Sequence, residues 1–197
     1  MNRTGTVYVV SAPSGAGKTS LIRAFMLKKS SSNYWVSVSH TTREPRTEEI
    51  HGQDYFFVTK KSFKKIILED GFIEYSEVFN KYYGTSKHVL FDVILAGKNV
   101  ILDIDWQGKR QIKTIFPKCI SIFIMPPSTK VLYQRLIQRG KDSPEVIKKR
   151  MVQAEKEISY VTEYDHIVVN NDFKTALKDV STIFRAEFLK IEPTFTC

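Results

Sequence analysis

A nine-residue stretch near the start of the chain, Ser11-Ala-Pro-Ser-Gly-Ala-Gly-Lys-Thr19, constrains the fold more than any other segment. It follows the apolar, β-branched run Val7–Val10, which predicts a buried strand, and precedes Ser20–Lys28, whose apolar residues have helical spacing. A strand, a Gly-Lys-Thr loop and a helix in this order are typical of a phosphate-binding loop, where backbone N–H groups and a helix N-terminus surround phosphate. The residues predicted to bind the triphosphate are Ser11, Ala12, Pro13, Ser14, Gly15, Ala16, Gly17, Lys18 and Thr19.

The chemistry of this loop assigns separate tasks to its last residues. Lys18 spans two phosphates, and the hydroxyl of Thr19 holds Mg²⁺. Ala12 stands where the usual pattern has glycine, which slightly restricts the start of the turn. The alternative is an ordinary strand–turn–helix with a chance glycine-lysine pair.

Length and composition indicate one globular domain of 197 residues with a formal net charge of +9. That charge suits nucleic acid, a membrane surface or small polyanions. Two cysteines, Cys119 and Cys197, make neither a disulfide framework nor a metal cluster. The chain has no apolar run of membrane-spanning length and no signal-peptide core, so we expect a cytoplasmic protein.

Hydrophobic periodicity predicts strands that alternate with helices, which favours an α/β fold with a central parallel sheet. Between Ser39 and Thr85 the elements are short and strand-rich, and this predicts an inserted subdomain. The predicted strands are Val7–Val10, Tyr34–Ser39, Tyr55–Val58, Phe72–Tyr75, Asn99–Ile104, Ile120–Met125 and His166–Asn170. The predicted helices are Ser20–Lys28, Ser62–Glu69, Lys87–Ala96, Lys109–Ile115, Thr129–Gln138, Glu145–Val161 and Lys174–Ile191, with a turn at Tyr82–Thr85.

The phosphoryl acceptor is indicated by residues outside the loop. Arg43 and Arg46 lie with several hydroxyls in one proline-containing bend, which could hold a phosphate monoester or be a solvated turn. Glu74 could accept hydrogen bonds from both N1–H and N2–H₂ of guanine while Thr85 donates to O6. Adenine offers no such donor pair. The alternative for Glu74 is an exposed strand glutamate.

Further candidates follow the later strands. Asp103 and Asp105 end an apolar strand, where acidic residues either organise Mg²⁺ or cap the next helix. Arg135 and Arg139 share a helix face, and Arg150 follows a glycine-containing loop. These three could reach transferring phosphates as arginine fingers or form a solvated basic surface. Asn170 could contact adenine or begin a turn.

Taken together, these motifs resemble the guanylate kinases of bacterial type, over nearly the whole chain from Val7 to about Phe184. The segments that carry the resemblance are Ser11–Thr19, Ser37–Arg46, Gly52–Val58, Phe72–Tyr75, Tyr82–Thr85, Ile101–Gly108 and Val168–Asn170. The resemblance implies a three-layer α/β/α P-loop fold in one domain, 1–197. It would comprise a core (1–38, 86–127 and 156–197), a mixed-β GMP-binding subdomain (about 39–85) and a helical lid (about 128–155).

The resemblance also implies the reaction ATP + GMP ⇌ ADP + GDP, with Mg²⁺ as cofactor. The implied catalytic residues are Lys18, Arg43, Arg135, Arg139 and Arg150. Beyond the loop, ATP would contact Arg135, Arg139 and Asn170, and Mg²⁺ would be held by Thr19 and, through water, Asp103. The implied GMP-binding residues are Ser39, Arg43, Arg46, Glu49, Tyr55, Glu74, Tyr83, Thr85 and Asp105. Lys87 stands where bacterial members often have arginine.

Three other functions compete with this one. A kinase for ribosyl bisphosphates would have no use for Glu74 and Thr85 as a guanine reader. A non-catalytic scaffold module of the same fold would typically have a degraded loop, whereas Lys18 and Thr19 are intact. A nucleic-acid-binding protein would explain the charge, but no recognised binding motif is present. We therefore expect ATP and GMP as partners, no nucleic acid, no membrane, and a monomer or homodimer.

Overall fold

The computed structural model describes residues 4–140 and 142–190. In chain order the strands are β1 (Val7–Ser11), β2 (Tyr34–Val36), β3 (His40–Thr41), β4 (Phe56–Phe57), β5 (Phe72–Val78), β6 (Lys81–Ser86), β7 (Asn99–Asp103), β8 (Ile120–Met125) and β9 (His166–Val169). The helices are α1 (Lys18–Met26), α2 (Lys60–Leu68), α3 (Lys87–Leu95), α4 (Trp106–Ile115), α5 (Thr129–Gln138), α6 (Pro144–Ser159) and α7 (Phe173–Leu189). The α/β alternation predicted from the sequence is confirmed.

The larger sheet contains five strands in the order β2-β7-β1-β8-β9. Strand β7 pairs in parallel with β1, Val7 facing Val100, and with β2, Tyr34 facing Asn99. All five residues of β1 are buried, as expected for a strand covered on both faces. The predicted central parallel sheet is confirmed, and β1 delivers the phosphate-binding loop from its carboxyl end.

The smaller sheet has four strands in the order β4-β3-β6-β5 and mixes parallel with antiparallel pairs. The prediction of a turn at Tyr82–Thr85 is wrong, because these residues lie inside β6. Gly84 is needed in the strand for space, because a Cβ there would lie 3.0 Å from Phe63 Cζ and 3.1 Å from Phe72 Cδ1. The hairpin turn is instead at Phe79 and Asn80, both with positive φ.

Helix boundaries differ from the prediction where capping decides them. Helix α4 begins at Trp106 rather than Lys109, because the Asp105 carboxylate accepts hydrogen bonds from the backbone N–H groups of Gln107 and Gly108, both at 2.9 Å. The capping alternative for Asp105 is thus observed. Helix α7 is described to Leu189, and the predicted end at Ile191 lies outside the described residues.

The chain divides into two compact units. The first comprises the described residues up to Ser11 together with Ser32–Ile122, and its core packs β1 and β7 against α3 and α4. The second comprises Ala12–Ser31 and the described residues from Phe123 onward. In this second unit α1 packs on α7, with the rings of Phe25 and Phe184 4.5 Å apart.

Two further observations concern the predicted setting of the chain. Among the described residues no helix combines the length and the apolar character that crossing a bilayer requires. Cys119 is buried, whereas Cys197 lies outside the described residues.

Candidate functional site

The phosphate-binding loop follows β1 and ends where α1 begins at Lys18. Gly15 and Gly17 have φ of 96° and 94°, which only glycine adopts without strain. Gly17 is the N-cap residue of α1. No side chain of this residue caps the helix, so the backbone N–H groups of the first turn can serve as donors to a ligand. This is the arrangement that binds phosphate at a helix N-terminus. The positive φ values predicted for glycines of this loop are therefore present.

Asn170 supports this loop from the end of β9. Its side-chain Nδ2 donates to the carbonyl of Ala16 at 2.7 Å, and its own carbonyl accepts from Arg135 Nη2 at 2.9 Å. A Cβ at Gly17 would overlap the Asn170 amide, so the loop and this side chain are in close contact. Asn170 is buried and joins the loop to Arg135 on α5.

The other two predicted lid arginines share one carboxylate. Arg139 Nη2 donates to Asp142 Oδ2 at 2.5 Å, and Arg150 Nη2 lies 3.1 Å from Asp142 Oδ1. Arg150 Nη1 also donates to Ser14 Oγ of the phosphate-binding loop at 2.7 Å. Burial opposes the ionisation of Asp142, but the hydrogen bond and charges of the two arginines outweigh it and lower its pKa. Asp142 was not predicted, although its position between two arginines offered a signal.

In the first unit, Glu49 accepts hydrogen bonds from both arginines of the predicted phosphate-binding bend. Arg43 donates to both oxygens of Glu49 at 2.9 Å, a bidentate pair. Arg46 donates to Glu49 through its backbone N–H at 2.8 Å and through Nη1 at 3.4 Å. Burial alone would raise the pKa of Glu49, but the hydrogen bonds and charges of the two arginines outweigh burial and lower this pKa below its usual value. The two arginine side chains are thus held by Glu49, within a bend in which Glu44, Pro45 and Thr47 are exposed.

Two tyrosines adjoin this cluster. The Arg43 guanidinium lies 5.4 Å from the centroid of the Tyr55 ring, and the Tyr55 and Tyr83 rings are 6.1 Å apart. Burial, followed by the charge of Asp103, raises the pKa of Tyr55, so its hydroxyl keeps its proton as a donor. Ser39, four residues before Arg43, is buried, and its backbone carbonyl accepts a hydrogen bond from Phe56 N–H at 2.9 Å.

Glu74 and Thr85 lie directly opposite each other on β5 and β6. Thr85 Oγ1 donates to Glu74 Oε1 at 2.6 Å, and Glu74 is only 3% exposed. Burial, with a smaller contribution from the charge of Asp105, raises the pKa of Glu74 to about 7 despite hydrogen bonds from Thr85. The alternative of an exposed strand glutamate is wrong, because a bulge between Phe72 and Glu74 turns this carboxylate inward.

The two aspartates after β7 have different surroundings. Asp103 is the last residue of the strand and half-buried, whereas Asp105 uses Oδ1 to cap α4 and Oδ2 to accept from Gln107 Nε2 at 3.1 Å. In the described residues no group of three or more acidic, histidine or cysteine side chains could hold a metal ion. A cation at this strand end would therefore need oxygen ligands from elsewhere.

The predicted site residues fall into two sets. The second unit brings together the loop from Ala12, with Lys18, Thr19, Arg135, Arg139, Arg150 and Asn170. The first unit contains Ser39, Arg43, Arg46, Glu49, Tyr55, Glu74, Tyr83, Thr85, Asp103 and Asp105, and also Ser11 at the end of β1. Each set combines cationic and hydrogen-bonding groups suited to one phosphorylated ligand.

Comparison with known proteins agrees with this geometry. A family model described as "Guanylate kinase" matches residues 4–187. The chain is 54% identical over 187 residues to proteins named guanylate kinase from Escherichia coli (strain K12) and Salmonella typhi, covering 95% of this chain and 90% of each relative. It also resembles the crystal structure of guanylate kinase from Anaplasma phagocytophilum with a TM-score of 0.80 and 32% identity, over 96% of this chain and 89% of that one.

Proposed function

Because the chain belongs to the guanylate kinase family, we propose that the loop after β1 binds ATP and that the residues around Glu49 and Glu74 bind GMP. The chain is an ATP:GMP phosphotransferase, which reversibly transfers the γ-phosphoryl group of ATP to GMP and yields ADP and GDP. This reaction serves guanine nucleotide synthesis and recycling. The observation that carries the assignment of the acceptor is the buried Glu74 carboxylate hydrogen-bonded to Thr85.

Glu74 recognises the guanine base in this proposal. One ionised carboxylate accepts from N1–H and N2–H₂ together, and Thr85 has a hydroxyl that can turn toward O6. Ser39 and Asp105 complete the base site. Adenine, which presents an acceptor at N1, would leave the buried carboxylate unpaired, and such a mismatch is rejected strongly.

The cluster around Glu49 binds the GMP phosphate. Arg43 and Arg46 supply the charge, and the hydroxyls of Tyr55 and Tyr83 supply further donors. Glu49 accepts from the guanidinium groups of both arginines and so orients two groups that would otherwise repel each other. Its role is to hold the arginines in place before GMP arrives.

ATP is bound by the loop backbone, Lys18 and the lid arginines. Arg150, already hydrogen-bonded to Ser14, and Arg139 would stabilise the charge of the transferring phosphoryl group. Arg135 and Asn170 are joined to each other and to the loop, which supports a role at the donor nucleotide. Arg139→Ala should lower turnover at saturating substrates, and unchanged turnover would contradict the lid assignment.

Mg²⁺ is the cofactor that such a reaction requires, and the donor types fit it. Thr19 offers a hydroxyl in the first turn of α1, and Asp103 offers a carboxylate at the end of β7 that would act through water. Both are the hard oxygen donors that Mg²⁺ prefers. When bound, the ion would supply positive charge against the phosphates of ATP.

We infer direct in-line transfer without a protein nucleophile. Two anionic nucleotides repel each other, so the chain's contribution is positioning and positive charge from Lys18 and the arginines. The GMP-binding subdomain (about 39–85) and the lid (about 128–155) would close over the nucleotides and exclude water, since ATP hydrolysis is the competing reaction. The remainder of the chain forms the core in this division.

A coupled assay of ADP formation from Mg-ATP tests the proposal. GMP, AMP, UMP and ribose 1,5-bisphosphate are compared as acceptors, with Glu74→Gln beside the parent and the exposed Glu77→Gln on the same strand as control. We expect turnover on GMP alone and a KM for GMP raised by about 100-fold in Glu74→Gln. Equal KM values in the two variants would contradict the base reader, and turnover on the ribosyl bisphosphate would favour that alternative kinase.

Cellular location, oligomeric state and the role of the net charge are proposed from other observations. Its nucleotide substrates support a reducing cytoplasm, and a chain with two cysteines is consistent with it. We propose a monomer or homodimer, which sedimentation equilibrium would distinguish. The net charge of +9 is assigned to attraction of anionic nucleotides and not to nucleic acid. A steep salt-dependent gel shift with RNA or DNA would contradict that assignment.

A further inference from the structure

The backbone next to Glu74 is held by a side chain from α4. Strand β5 ends the small sheet, so one of its edges pairs with β6 and the other faces away from that sheet. On the outer edge Gln111 Nε2 donates to the carbonyl of Tyr75 at 2.8 Å, and Gln111 Oε1 accepts from Tyr75 N–H at 3.2 Å. One side-chain amide therefore satisfies both the backbone N–H and the backbone carbonyl of Tyr75, as a neighbouring strand would.

The carboxylate of Glu74 itself meets α4 at Gly108. A Cβ at Gly108 would overlap Glu74 Oε2 and would lie 3.1 Å from Glu74 Cδ. No side chain other than hydrogen fits at this position while the carboxylate keeps its place. Gly108 is also fixed, because its N–H donates to Asp105 Oδ1 at 2.9 Å in the helix cap.

These two contacts come from one face of the helix. Gly108 and Gln111 are three residues apart, so they project from the same side of α4 toward β5. Gln111 fixes the backbone one residue beyond Glu74, Gly108 limits the position of Oε2, and Thr85 donates to Oε1 from β6 until the base binds. The carboxylate is thereby restrained from three directions.

We propose that Gln111 and Gly108 are positioning residues that aim the Glu74 carboxylate at the substrate base and so set the preference for guanine over related purines. This proposal rests on the proposed function, in which Glu74 reads the base. Two hydrogen bonds to one base require the plane and direction of the carboxylate to be fixed, since a displacement of about 1 Å breaks one of the pair. Neither residue needs to touch GMP.

The test compares GMP with IMP, whose base keeps N1–H and O6 but lacks the N2 amino group. Gln111→Met removes both hydrogen bonds to Tyr75 while keeping side-chain length and helix propensity. Gly108→Ala adds one methyl group against Glu74 at a helical position where alanine is otherwise favoured. The control is Thr114→Ala, an exposed position on α4 whose hydroxyl bonds only its own helix backbone, to Arg110. Glu74→Gln is measured alongside.

We expect the ratio of kcat/KM for GMP to that for IMP to fall by about tenfold in Gln111→Met and in Gly108→Ala. Each substitution loosens or displaces the hydrogen bond between the Glu74 carboxylate and N2–H₂ of guanine, which IMP cannot make. The KM for ATP should stay within about twofold of the parent. A merely structural defect would lower activity on both substrates equally and leave the ratio unchanged. Thr114→Ala should match the parent in every respect.

The outcomes separate the two proposals. If Glu74→Gln leaves the GMP-to-IMP ratio unchanged, the base-reading role of Glu74 is wrong and the positioning role fails with it. If Glu74→Gln lowers the ratio while folded Gln111→Met and Gly108→Ala keep the parent's ratio, Glu74 reads the base without help from α4 and only this inference is overturned. Thermal unfolding of each variant establishes that it is folded at the assay temperature.

Discussion

In the proposed base site, guanine recognition demands an ionised carboxylate at Glu74, and the burial of this side chain opposes ionisation. The pKa of Glu74 is raised to about 7, so near neutrality the free enzyme holds both protonation states. A protonated carboxyl has lost part of its acceptor capacity for N1–H and N2–H₂. If Glu74 binds the base as proposed, binding of GMP is coupled to release of a proton from this carboxyl whenever the pH is below about 7.

The KM for GMP should fall as pH rises, by about tenfold between pH 6 and pH 8, and change little above that range. The sign follows from the raised pKa, since the carboxyl ionises only as pH passes through about 7. Steady-state kinetics across this range measures the effect. Glu74→Gln serves as control, because the pH dependence that remains in it reports the titration of the substrate phosphate. A parent profile identical to that of Glu74→Gln would contradict the coupling.

Arg139 at the C-terminal end of α5 and Arg150 on α6 both contact Asp142, which lies between the two helices in the chain. Asp142 neutralises part of the charge of Arg139 and Arg150 and fixes the direction in which both guanidinium groups point. Without a carboxylate between them, two guanidinium groups would repel each other and sample more rotamers. The arrangement therefore orders both arginine side chains.

Asp142→Asn should lower kcat by about tenfold while leaving the KM for GMP unchanged, because the arginines keep their charge but lose their alignment. Initial rates at saturating ATP and GMP measure the change. Glu145→Gln is the matched control, since Glu145 is an exposed acid at the start of α6. A kcat equal to that of the parent would show that Asp142 has no part in aligning the arginines.

At the scale of the whole molecule, the two sets of candidate residues belong to separate compact units. Ser11 at the end of β1 is the only predicted ATP-binding residue assigned to the first unit, and the predicted GMP-binding residues all lie in that unit. A ligand stabilises most strongly the part of the structure that it contacts. Each nucleotide should therefore leave its own pattern of protection.

Amide hydrogen exchange followed by mass spectrometry should show GMP slowing exchange chiefly in peptides from 39–85. Mg-ATP should slow it chiefly in 12–19 and in peptides that contain Arg135 or Arg150. The physical reason is that bound phosphates and base restrain the backbone that contacts them. AMP, which lacks the donor pair of guanine, is the control for the first set. The same peptides protected by both GMP and Mg-ATP would contradict the assignment of the two sites.

Sequence alone was sufficient for features set by local chemistry. The phosphate-binding loop could be predicted because strand, glycines, Lys18 and helix follow one another within a few residues, and glycine's positive φ is a property of the residue itself. The alternation of apolar segments was sufficient for the parallel sheet, since buried strands must be apolar on both faces. Residue roles carried over from the family resemblance remain predictions.

Tertiary structure decided what depends on neighbours distant in the chain. The sequence predicted a turn at Tyr82–Thr85, but pairing on both sides of β6 and the rings of Phe63 and Phe72 around Gly84 place this segment in a strand. The burial and raised pKa of Glu74 come from the bulge in β5 and from α4, which lies more than thirty residues further along the chain. No local pattern encodes such a contact, because desolvation and the pairing of an edge strand depend on which elements fold against each other.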